Sequence, residues 1–577
     1  MWCGVIRRIS FIFWAIVLLS PLVFPQTDYY VDAANGRNSN DGLSPTTAWK
    51  TLHKLNNYIF SPGDRILFKR GEVWRGQLNV TSSGAPENPV TYAAFGPGPK
   101  PRILGSVSKN DPSDWVREHG YIWYTHTQKR VYQCVFRNDT RFSRRVLRKG
   151  DLDTQGELWW DSAGNRVYFF SRENPAIQYN GNIELCQLES VVTLHSKDHV
   201  TLKDLDIRYT SRSAIYATDS NHITVDGCTL KHTGETYSTH NSYGEWSGAG
   251  IYFYQGNQLT VTNCTISYNW MGVYFQRRDG SPASHTIDNN TISYQIFGYN
   301  KKSHGIAFGG TGPFPDYAGT VIKNNDIHHF GMRGIALSHS RNVVAEHNSI
   351  HDNYGSGFNT YCTGISMGTT TSGGHIIRYN HIYNITGNPN QWDDGCGIRT
   401  RQANNSKIYY NVIHDCVKGI CNSVRRSGGA NDNNKIFNNI CYDCSKYGIW
   451  INQGIKGNET RVSVMNNICD GREADIRISR HVKAAGGFNC LMNDSSVNNS
   501  GSYTGSNTDF YRVDPRFTDP AAHDFSLRPD SPCIDKGMNT GIRKDIAGHD
   551  VPAGMGVDMG ALEYIPPLDM LIFFYKP

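Results

Sequence analysis

The chain has 577 residues, of which 19% are charged, and a formal net charge of +6 at pH 7. Its 12% aromatic content, including 32 tyrosines, excludes an intrinsically disordered chain. The small net charge and the absence of a dense run of Lys or Arg argue against a nucleic-acid partner.

The first 26 residues are predicted to be a signal peptide. Arg7 and Arg8 form its charged start, and an apolar stretch from Ile9 to Phe24 follows. A retained membrane anchor is the alternative, because no small-residue cleavage pattern precedes Gln26. We therefore expect a monomer that is secreted, periplasmic or at the cell surface, with no membrane span after signal removal.

Two regions precede the main repeat. Residues 27–105 are predicted to form an N-terminal cap and the first rungs, with a short helix from Ala48 to Asn56. Residues 106–187 are irregular and rich in aromatic residues. They are predicted to form a β-rich insert beside the repeat.

Two short sequence motifs, which we call the Gly phrase and the Asn phrase, alternate between residues 188 and 513. One is Gly followed by Ile or Val, and the other begins with Asn or Cys two positions before an apolar residue. Its spacing varies between 23 residues (325 to 348) and 36 residues (228 to 264), a period typical of a solenoid with one rung per repeat. The predicted fold is an all-β, right-handed parallel β-helix. The second phrase begins at Cys228, Cys264, Asn290, Asn325, Asn348, Asn380, Asn411, Asn438 and Asn466.

Stacked rungs place equivalent residues one strand spacing apart. The Asn positions are therefore predicted to form a buried amide ladder at a sharp bend, with Cys228 and Cys264 in the same column. Cys416 and Cys444 also align, and they are expected to be stacked thiols or an inter-rung disulfide. The predicted inward core column is Ile251, Val273, Ile306, Ile335, Ile365, Ile398, Ile420 and Ile449.

Both ends of the chain carry a family resemblance. The segments YYVDAANGRNSNDGLSPTTAWKTLHKLN and PGDRILFKRGEVWRGQL resemble the N-terminal cap of the pectate-lyase-like superfamily of secreted bacterial right-handed parallel β-helix proteins. Residues 514–577 are predicted to form a C-terminal closing segment, and residues 514–564 of it, which include DPRFTDPAAHDFSLRPDSPCIDKG, resemble the C-terminal segment of this superfamily. The resemblance extends from about Tyr29 to Tyr564, and it implies a polysaccharide lyase or a glycoside hydrolase.

Strand alternation predicts a trough on the outer face of the strands that begin with the Gly phrase. Its middle consists of the small residues Ala307, Ala336 and Ser366. Insertions within 234–249, 298–319 and 386–396 are expected to gather beside this face. The predicted substrate-binding residues are Tyr252, Tyr254, Tyr274, Gln276, Arg277, Lys302, His339, Trp392 and Trp450.

An acidic pair is the first candidate catalytic feature. Asp393 and Asp394 follow Trp392 and precede the strand that carries the outward residues Arg399 and Arg401. Adjacent carboxylates supply acid/base chemistry or bind Ca²⁺, which is therefore a candidate cofactor. An ordinary Asp-Gly turn is the alternative.

Three further candidates lie near the predicted trough. Glu245 is a carboxylate in an aromatic loop, with a solvated loop residue as the alternative. His304 follows a Lys-Lys pair and is a candidate base, unless it is a satisfied bend residue. His339 lies between Arg333 and Arg341, where a solvated basic face is the alternative.

Two enzyme classes compete for this site. The sequence DDGCGIRT is similar to the DGGGIYT-like strand start of some β-helix glycosidases. It differs from that pattern at Cys396 and Arg399, which replace a small and an aromatic residue. A hydrolase would pair Asp393 or Asp394 with Glu245.

A lyase would instead use basic residues for β-elimination on an acidic, uronate-containing polymer. It is favoured here because basic outward residues outnumber acidic ones. The sequence lacks the dense Asp cluster of the calcium-dependent pectate lyases. A non-catalytic glycan-binding surface protein is the third alternative.

Overall fold

A computed structural model describes residues 26–131, 133–136, 141–234, 248–295, 303–310, 315–354, 361–368, 372–391, 393–423, 433–452, 460–493, 497–499, 501–505 and 507–566. Nearly all of its regular structure is parallel β-strand, arranged in three ladders that we call the back, side and front sheets. The long strand Asp206–Thr218 takes part in both the side and the front sheet. The predicted parallel β-helix is therefore confirmed.

The back sheet contains fifteen strands among the described residues. They are Asp28–Val31, Arg65–Lys69, Val90–Phe95, Val200–Lys203, Asn221–Asp226, Asn257–Thr262, Thr286–Asp288, Val321–Lys323, Val344–Glu346, Ile376–Arg378, Lys407–Tyr409, Asn434–Phe437, Thr460–Met465, Val482–Gly487 and Ser502–Tyr503.

The side sheet follows the Asn phrase in each rung. Besides the shared long strand, it consists of Val73–Arg75, Arg102–Leu104, Thr229–Thr233, Thr265–Asn269, Thr291–Gln295, Asp326–Phe330, Ser349–His351, His381–Tyr383, Val412–His414, Ile440–Cys444, Ile468–Gly471, Cys490–Leu491 and Phe510–Tyr511.

The front sheet carries the Gly phrase and the candidate site. Besides the shared long strand, it consists of Leu78–Asn79, Leu188–His195, Ala249–Tyr254, Met271–Gln276, His304–Gly309, Arg333–Leu337, Thr363–Met367, Cys396–Arg401, Lys418–Ser423, Tyr447–Asn452, Ala474–Ile478 and Val497–Asn499.

The remaining strands lie outside these three sheets. The insert has a four-stranded and a five-stranded sheet, and two pairs lie elsewhere. These strands are Ser106–Ser108, Gln133–Phe136, Arg141–Phe142 and Ile183–Cys186; Val116–His119, Ile122–His126, Arg144–Arg145, Glu157–Asp161 and Arg166–Phe170; Ser372–Gly373 with Ala403–Asn404; and Phe517–Asp519 with Asp524–Leu527.

Helices are short. The α-helices are Leu52–Asn56 and Pro175–Gln178, and the 3-10 helices are Pro45–Thr47, Pro112–Asp114, Lys149–Asp151 and Pro520–Ala522. The helix predicted from Ala48 begins later because the side chain of Thr51 caps the backbone N–H of Lys54 at 3.3 Å. No helix among the described residues is long and apolar enough to span a membrane.

One continuous apolar core runs inside the rungs. All eight residues of the predicted inward column are fully buried in it. The preceding glycines are needed because the chain passes close to its neighbours: a Cβ on Gly305 would lie 2.6 Å from both the carbonyl oxygen of Gly334 and Cγ2 of Ile327.

The amide ladder exists and is buried. Each Asn side chain accepts from the backbone N–H of the preceding rung and donates to the next amide, as from Asn348 Nδ2 to Asn380 Oδ1 at 2.9 Å and from Asn380 Nδ2 to Asn411 Oδ1 at 3.0 Å. The backbone N–H of Cys264 donates to Asn290 Oδ1 at 2.9 Å. Cys264 therefore belongs to this column, as predicted.

The ladder differs from the prediction at its C-terminal end. The column continues from Asn411 to Asn439 at 2.9 Å and then to Asn467 at 3.0 Å, rather than to Asn438 and Asn466. The Asn-Asn pairs permit two registers, and strand pairing of Ile413 with Cys441 selects the second residue of each pair.

The first residue of each Asn-Asn pair binds the C-terminal segment instead. Asn466 Nδ2 donates to Asn438 Oδ1 at 3.0 Å and to the Met538 carbonyl at 2.7 Å. Asn438 Nδ2 donates to the Asp558 carbonyl at 3.0 Å. These contacts hold the closing segment against the rungs.

The cysteines are structural. All thirteen in the described residues are buried free thiols, so Cys416 and Cys444 are stacked thiols within the core.

Replacing Asn380 with Ala is expected to destabilise the protein by about 2–4 kcal/mol, because buried donors and acceptors in two rungs lose their partner. The urea midpoint followed by circular dichroism measures this. Asn35→Ala is the control, since its exposed side-chain amide makes only a long 3.5 Å contact with the Asp32 carboxylate among the described residues. Equal midpoints for the two variants would contradict a stabilising role of the ladder.

Candidate active site

The outer face of the front sheet presents one column of stacked residues. Strand register aligns Tyr252, Tyr274, Ala307, Ala336, Ser366, Arg399, Cys421 and Trp450, one per rung. The predicted small middle residues are on this face as expected, but they are buried. The column is therefore covered at its centre rather than open along its length.

An ion pair lies at the buried centre of this column. Arg399 Nη1 donates to Asp393 Oδ2 at 2.9 Å, and both side chains are almost completely inaccessible to solvent, at 1% and 0% exposure. Arg399 Nη2 also donates to Ser366 Oγ at 2.7 Å. The strand Cys396–Arg401 fixes the guanidinium, and the preceding loop supplies the carboxylate.

This pair retains unused hydrogen-bonding capacity. Asp393 Oδ1 and Arg399 Nε are buried without a hydrogen-bond partner in the described part of the chain. Buried polar atoms are normally satisfied, and an unsatisfied one calls for an explanation such as strain, a catalytic role, or an ordered water or ion. The unpartnered oxygen points to the Asp393 carboxyl as a chemically available group.

Two more arginines surround Asp393. Arg401 Nη1 lies 3.7 Å from Asp393 Oδ2. Burial raises the pKa of the Asp393 carboxyl above its usual value, although the charges of Arg399, Arg401 and Arg333 each lower it. Burial, together with the positive charge of Arg399, lowers the pKa of Arg333 to about 9. These four side chains form the Asp393–arginine cluster.

Asp394 has a different role from its neighbour. Its Oδ1 accepts from the backbone N–H groups of Cys362 at 2.6 Å and Gly395 at 3.0 Å, and its Oδ2 accepts from Asn388 at 2.9 Å. Gly395 has a φ of +71°, as the turn alternative requires. The Asp394 carboxylate is therefore committed to holding the loop before the strand.

The acidic pair does not fit a calcium site. Ca²⁺ takes six to eight oxygen ligands, often with bidentate carboxylates. The Asp394 oxygens are occupied by backbone N–H groups, and Asp393 is paired with arginine.

Several predicted binding residues are engaged inside the protein. Arg277 is buried, and it donates to the Gly256 carbonyl at 2.5 Å and pairs with Asp279 at 3.1 Å. The hydroxyl of Tyr252 donates to the buried Gln276, and Tyr274 lies against Tyr252 with ring centroids 5.2 Å apart. In this structure these four side chains stabilise the front sheet.

The predicted histidines lie at opposite ends of strands in the front sheet. His304 is buried at the start of its strand and is in register with Arg333 on the next rung. His339 is half-buried beyond the same strand as Arg333, and burial and the charge of Arg333 lower its pKa. Tyr254 and Trp450, at opposite ends of the face, are also half-buried.

Three predicted site residues, Glu245, Lys302 and Trp392, lie outside the described residues. Their roles stay predictions.

Two contributors were not among the predicted site residues. Arg333 occupies the column that runs through His304, Thr363, Cys396 and Lys418. Lys418 Nζ donates to the backbone carbonyl of Asp394 at 2.7 Å and so supports the loop that carries Asp393. Aligning the residue before each Gly of the repeat would have revealed both.

Comparison with known proteins identifies the fold. A family profile described as "Right handed beta helix region" matches residues 190–281 and 249–429. The structure of XylC in complex with xylose aligns with a TM-score of 0.52 and 12% identity, covering 93% of this chain and 99% of that one. The chain is thus a right-handed parallel β-helix protein, and the expected pectate-lyase-like resemblance is confirmed for the fold.

Two similar proteins carry the same enzyme name. A lacto-N-biosidase of Bifidobacterium longum is 23% identical over 423 residues, which cover 65% of this chain. The match spans only about a quarter, 24%, of that relative. A GH136 lacto-N-biosidase from Eubacterium ramulus aligns at 15% identity and a TM-score of 0.43, covering 85% of this chain and 68% of that one.

Replacing Arg399 with Met is expected to cost about 3–5 kcal/mol of stability, because Asp393 would remain as a buried charge that has lost its closest partner. Adding Asp393→Asn to this variant is expected to restore part of the loss. Urea unfolding of the wild type, both single variants and the double variant gives the coupling energy.

The control for this cycle is Arg472→Met, which breaks a largely exposed pair with Asp443 at 3.1 Å. It is expected to cost less than about 1 kcal/mol. Equal losses of unfolding free energy from Arg399→Met and Arg472→Met would show that the buried ion pair stabilises the protein no more than an exposed pair does.

Proposed function

We propose that this protein is an enzyme that cleaves glycosidic bonds of an extracellular polysaccharide, and that it does so by hydrolysis with Asp393 as an acid/base group. The observation that carries the proposal is the Asp393 carboxyl: it is buried, its pKa is raised, and one oxygen has no hydrogen-bond partner in the described chain. Glycosidases use a carboxyl with a raised pKa to protonate the leaving oxygen.

The excess of basic over acidic outward residues, which favoured a lyase in the sequence, is weaker evidence in the structure. Arg277 is engaged by the Gly256 carbonyl and Asp279, and the two terminal nitrogens of Arg399 are engaged by Asp393 and Ser366. These two basic residues are therefore not available to neutralise a uronate. The name of the curated relative, lacto-N-biosidase, also supports cleavage of a glycosidic bond.

Hydrolysis requires a second carboxylate, either about 5 Å or about 6.5–9.5 Å from the first. Asp394 is unsuitable because three backbone N–H groups occupy its oxygens. Glu245, the partner predicted from the sequence, remains the candidate for this role.

A lyase is the second candidate function, and Arg333 is the observation that favours it. Its guanidinium, which stays protonated at pH 7, adds positive charge close to Asp393. Arg401, which lies beside the Asp393 carboxylate, would then bind the carboxylate of a uronate. Hydrolysis is preferred because the Asp393 carboxyl lies at the centre of the cluster.

Substituting Asp393 with Asn is expected to lower cleavage at least about 100-fold while glycan binding persists, since general acid catalysis contributes about 10²–10⁴-fold. Purified protein is incubated with acidic and neutral polysaccharides, and both reducing ends and ultraviolet absorbance are followed. Reducing ends without absorbance indicate hydrolysis, whereas a rise in absorbance from unsaturated uronate indicates a lyase.

The matched control is Asp443→Asn, a half-exposed carboxylate in the side-sheet strand Ile440–Cys444, which should leave activity unchanged. Thermal unfolding of both variants separates lost chemistry from lost folding. If Asp393→Asn retains full activity, Asp393 is not the acid/base group. If no polymer is cleaved by the wild type, the non-catalytic glycan-binding alternative replaces this proposal.

We also propose that the protein is exported after removal of its first 26 residues, because a charged start and an apolar stretch open the chain. Expression in a bacterial host that secretes proteins is expected to give a mature chain that begins near Thr27. Intact mass spectrometry measures this start. A full-length, membrane-associated product would support the retained anchor instead.

A further inference from the structure

A second cluster of reactive side chains lies on the side sheet, away from the Asp393–arginine cluster. The outer face of this sheet carries a column of rings in register: His328, His351, Tyr383 and His414. The ring centroids of Tyr383 and His414 lie 5.2 Å apart and are nearly parallel. This stack fixes the His414 ring from one side.

The C-terminal hairpin fixes His414 from the other side. Phe525, in the strand Asp524–Leu527, places its ring centroid 5.2 Å from that of His414 and 5.4 Å from that of Tyr442. His523 immediately precedes this strand, with a left-handed φ of 61°. The anchored hairpin therefore holds the His523 ring 4.3 Å from the His414 ring.

The donor atoms of three side chains converge at this contact. Asp415 Oδ2 lies 2.6 Å from His414 Nδ1 and 3.9 Å from His523 Nε2. One donor atom from each of His414, Asp415 and His523 lies within 4.8 Å of the others. In the described part of the chain, no other group of three His, Cys, Asp or Glu side chains has such spacing.

We propose that His414, Asp415 and His523 form a binding site for a divalent transition-metal ion of the zinc class. Two imidazoles and a carboxylate match the ligand set of such ions, whereas Ca²⁺ and Mg²⁺ prefer oxygen ligands. Ligand atoms about 2.0–2.2 Å from a tetrahedral ion lie roughly 3.3 Å apart. On binding, the 2.6 Å between His414 and Asp415 would lengthen and the 3.9 Å between Asp415 and His523 would shorten, each by less than about 1 Å, through small movements of the Asp415 side chain and the hairpin tip.

The surroundings of His414 suit a metal ligand. Coordination through Nδ1 places the imidazole proton on Nε2, and His381 Nε2 lies 2.8 Å from that atom as its acceptor. An outer partner of this kind orients metal-binding histidines.

The ion has a route in from solvent. The side chains of Asp415 and His523 are exposed, whereas His414 is buried beneath them. The three ligands leave a fourth tetrahedral position for water. A bound ion would link the C-terminal segment to a rung more than one hundred residues earlier in the chain, and it would stabilise the fold by mass action.

The test uses the full mature chain, stripped with a chelator and then titrated with Zn²⁺ by calorimetry. One site per chain and a Tm increase of about 2–4 °C at saturating Zn²⁺ are expected. Ca²⁺ at the same concentration is expected to produce neither effect. Absence of Zn²⁺ binding, or equal competition by Ca²⁺, would overturn the proposal.

Variants assign the ligands. His523→Ala is expected to weaken Zn²⁺ binding at least tenfold, whereas His549→Ala should leave it unchanged. His549 is the matched control, because its side chain is 45% exposed, against 47% for His523. Like His523, it lies in the C-terminal segment and contacts an aspartate, which is Asp545. Equal Zn²⁺ affinity in both variants would show that the ion binds elsewhere.

Co²⁺ supplies a spectroscopic signature of the ligand set. The visible absorption of the Co²⁺-loaded protein is expected to disappear in His523→Ala and to shift in Asp415→Asn. A spectrum that Asp415→Asn leaves unchanged would remove Asp415 from the site. Because the site lies between the side sheet and the C-terminal hairpin and does not include Asp393, its outcome is independent of whether Asp393 is catalytic.

Discussion

In-register stacking of the rungs is the constraint on which the rest of this structure depends. Each rung repeats the same inward apolar positions, so a shift by one residue would move a core side chain to the outer face. The amide ladder opposes such a shift, because every Asn bonds the backbone of the preceding rung and the amide of the next. Both side-chain clusters follow from this register: Asp393 precedes one strand of the front sheet, and His414 ends one strand of the side sheet.

The repeat made the fold predictable from the sequence, including the inward column from Ile251 to Ile449, which is buried throughout. The prediction was wrong where the sequence offers two equal choices. In the Asn-Asn pairs, only strand pairing decides that Asn439 and Asn467 extend the ladder. The first residue of each pair binds a segment 120 residues away for Asn438 and 72 residues away for Asn466, which no local pattern indicates.

The candidate site was predictable in position but not in the division of roles. The sequence singled out Asp393 and Asp394 together, and neighbouring carboxylates cannot be told apart by spacing. Their environments separate them: backbone N–H groups occupy Asp394, whereas arginines surround Asp393. Outward position also did not imply exposure, since the middle of the trough is buried. The His523 contact depends on how the C-terminal hairpin docks, which the repeat does not encode.

The central claim is that the Asp393 carboxyl acts on a glycosidic oxygen at the front sheet. A crystal structure of the Asp393→Asn variant with a bound oligosaccharide tests it most directly. A glycosidic oxygen is expected within about 3.2 Å of the residue 393 side chain, with sugar rings near Arg401 or Trp450. An oligosaccharide bound at another sheet, with residue 393 still buried away from it, would show that Asp393 is not the acid/base group.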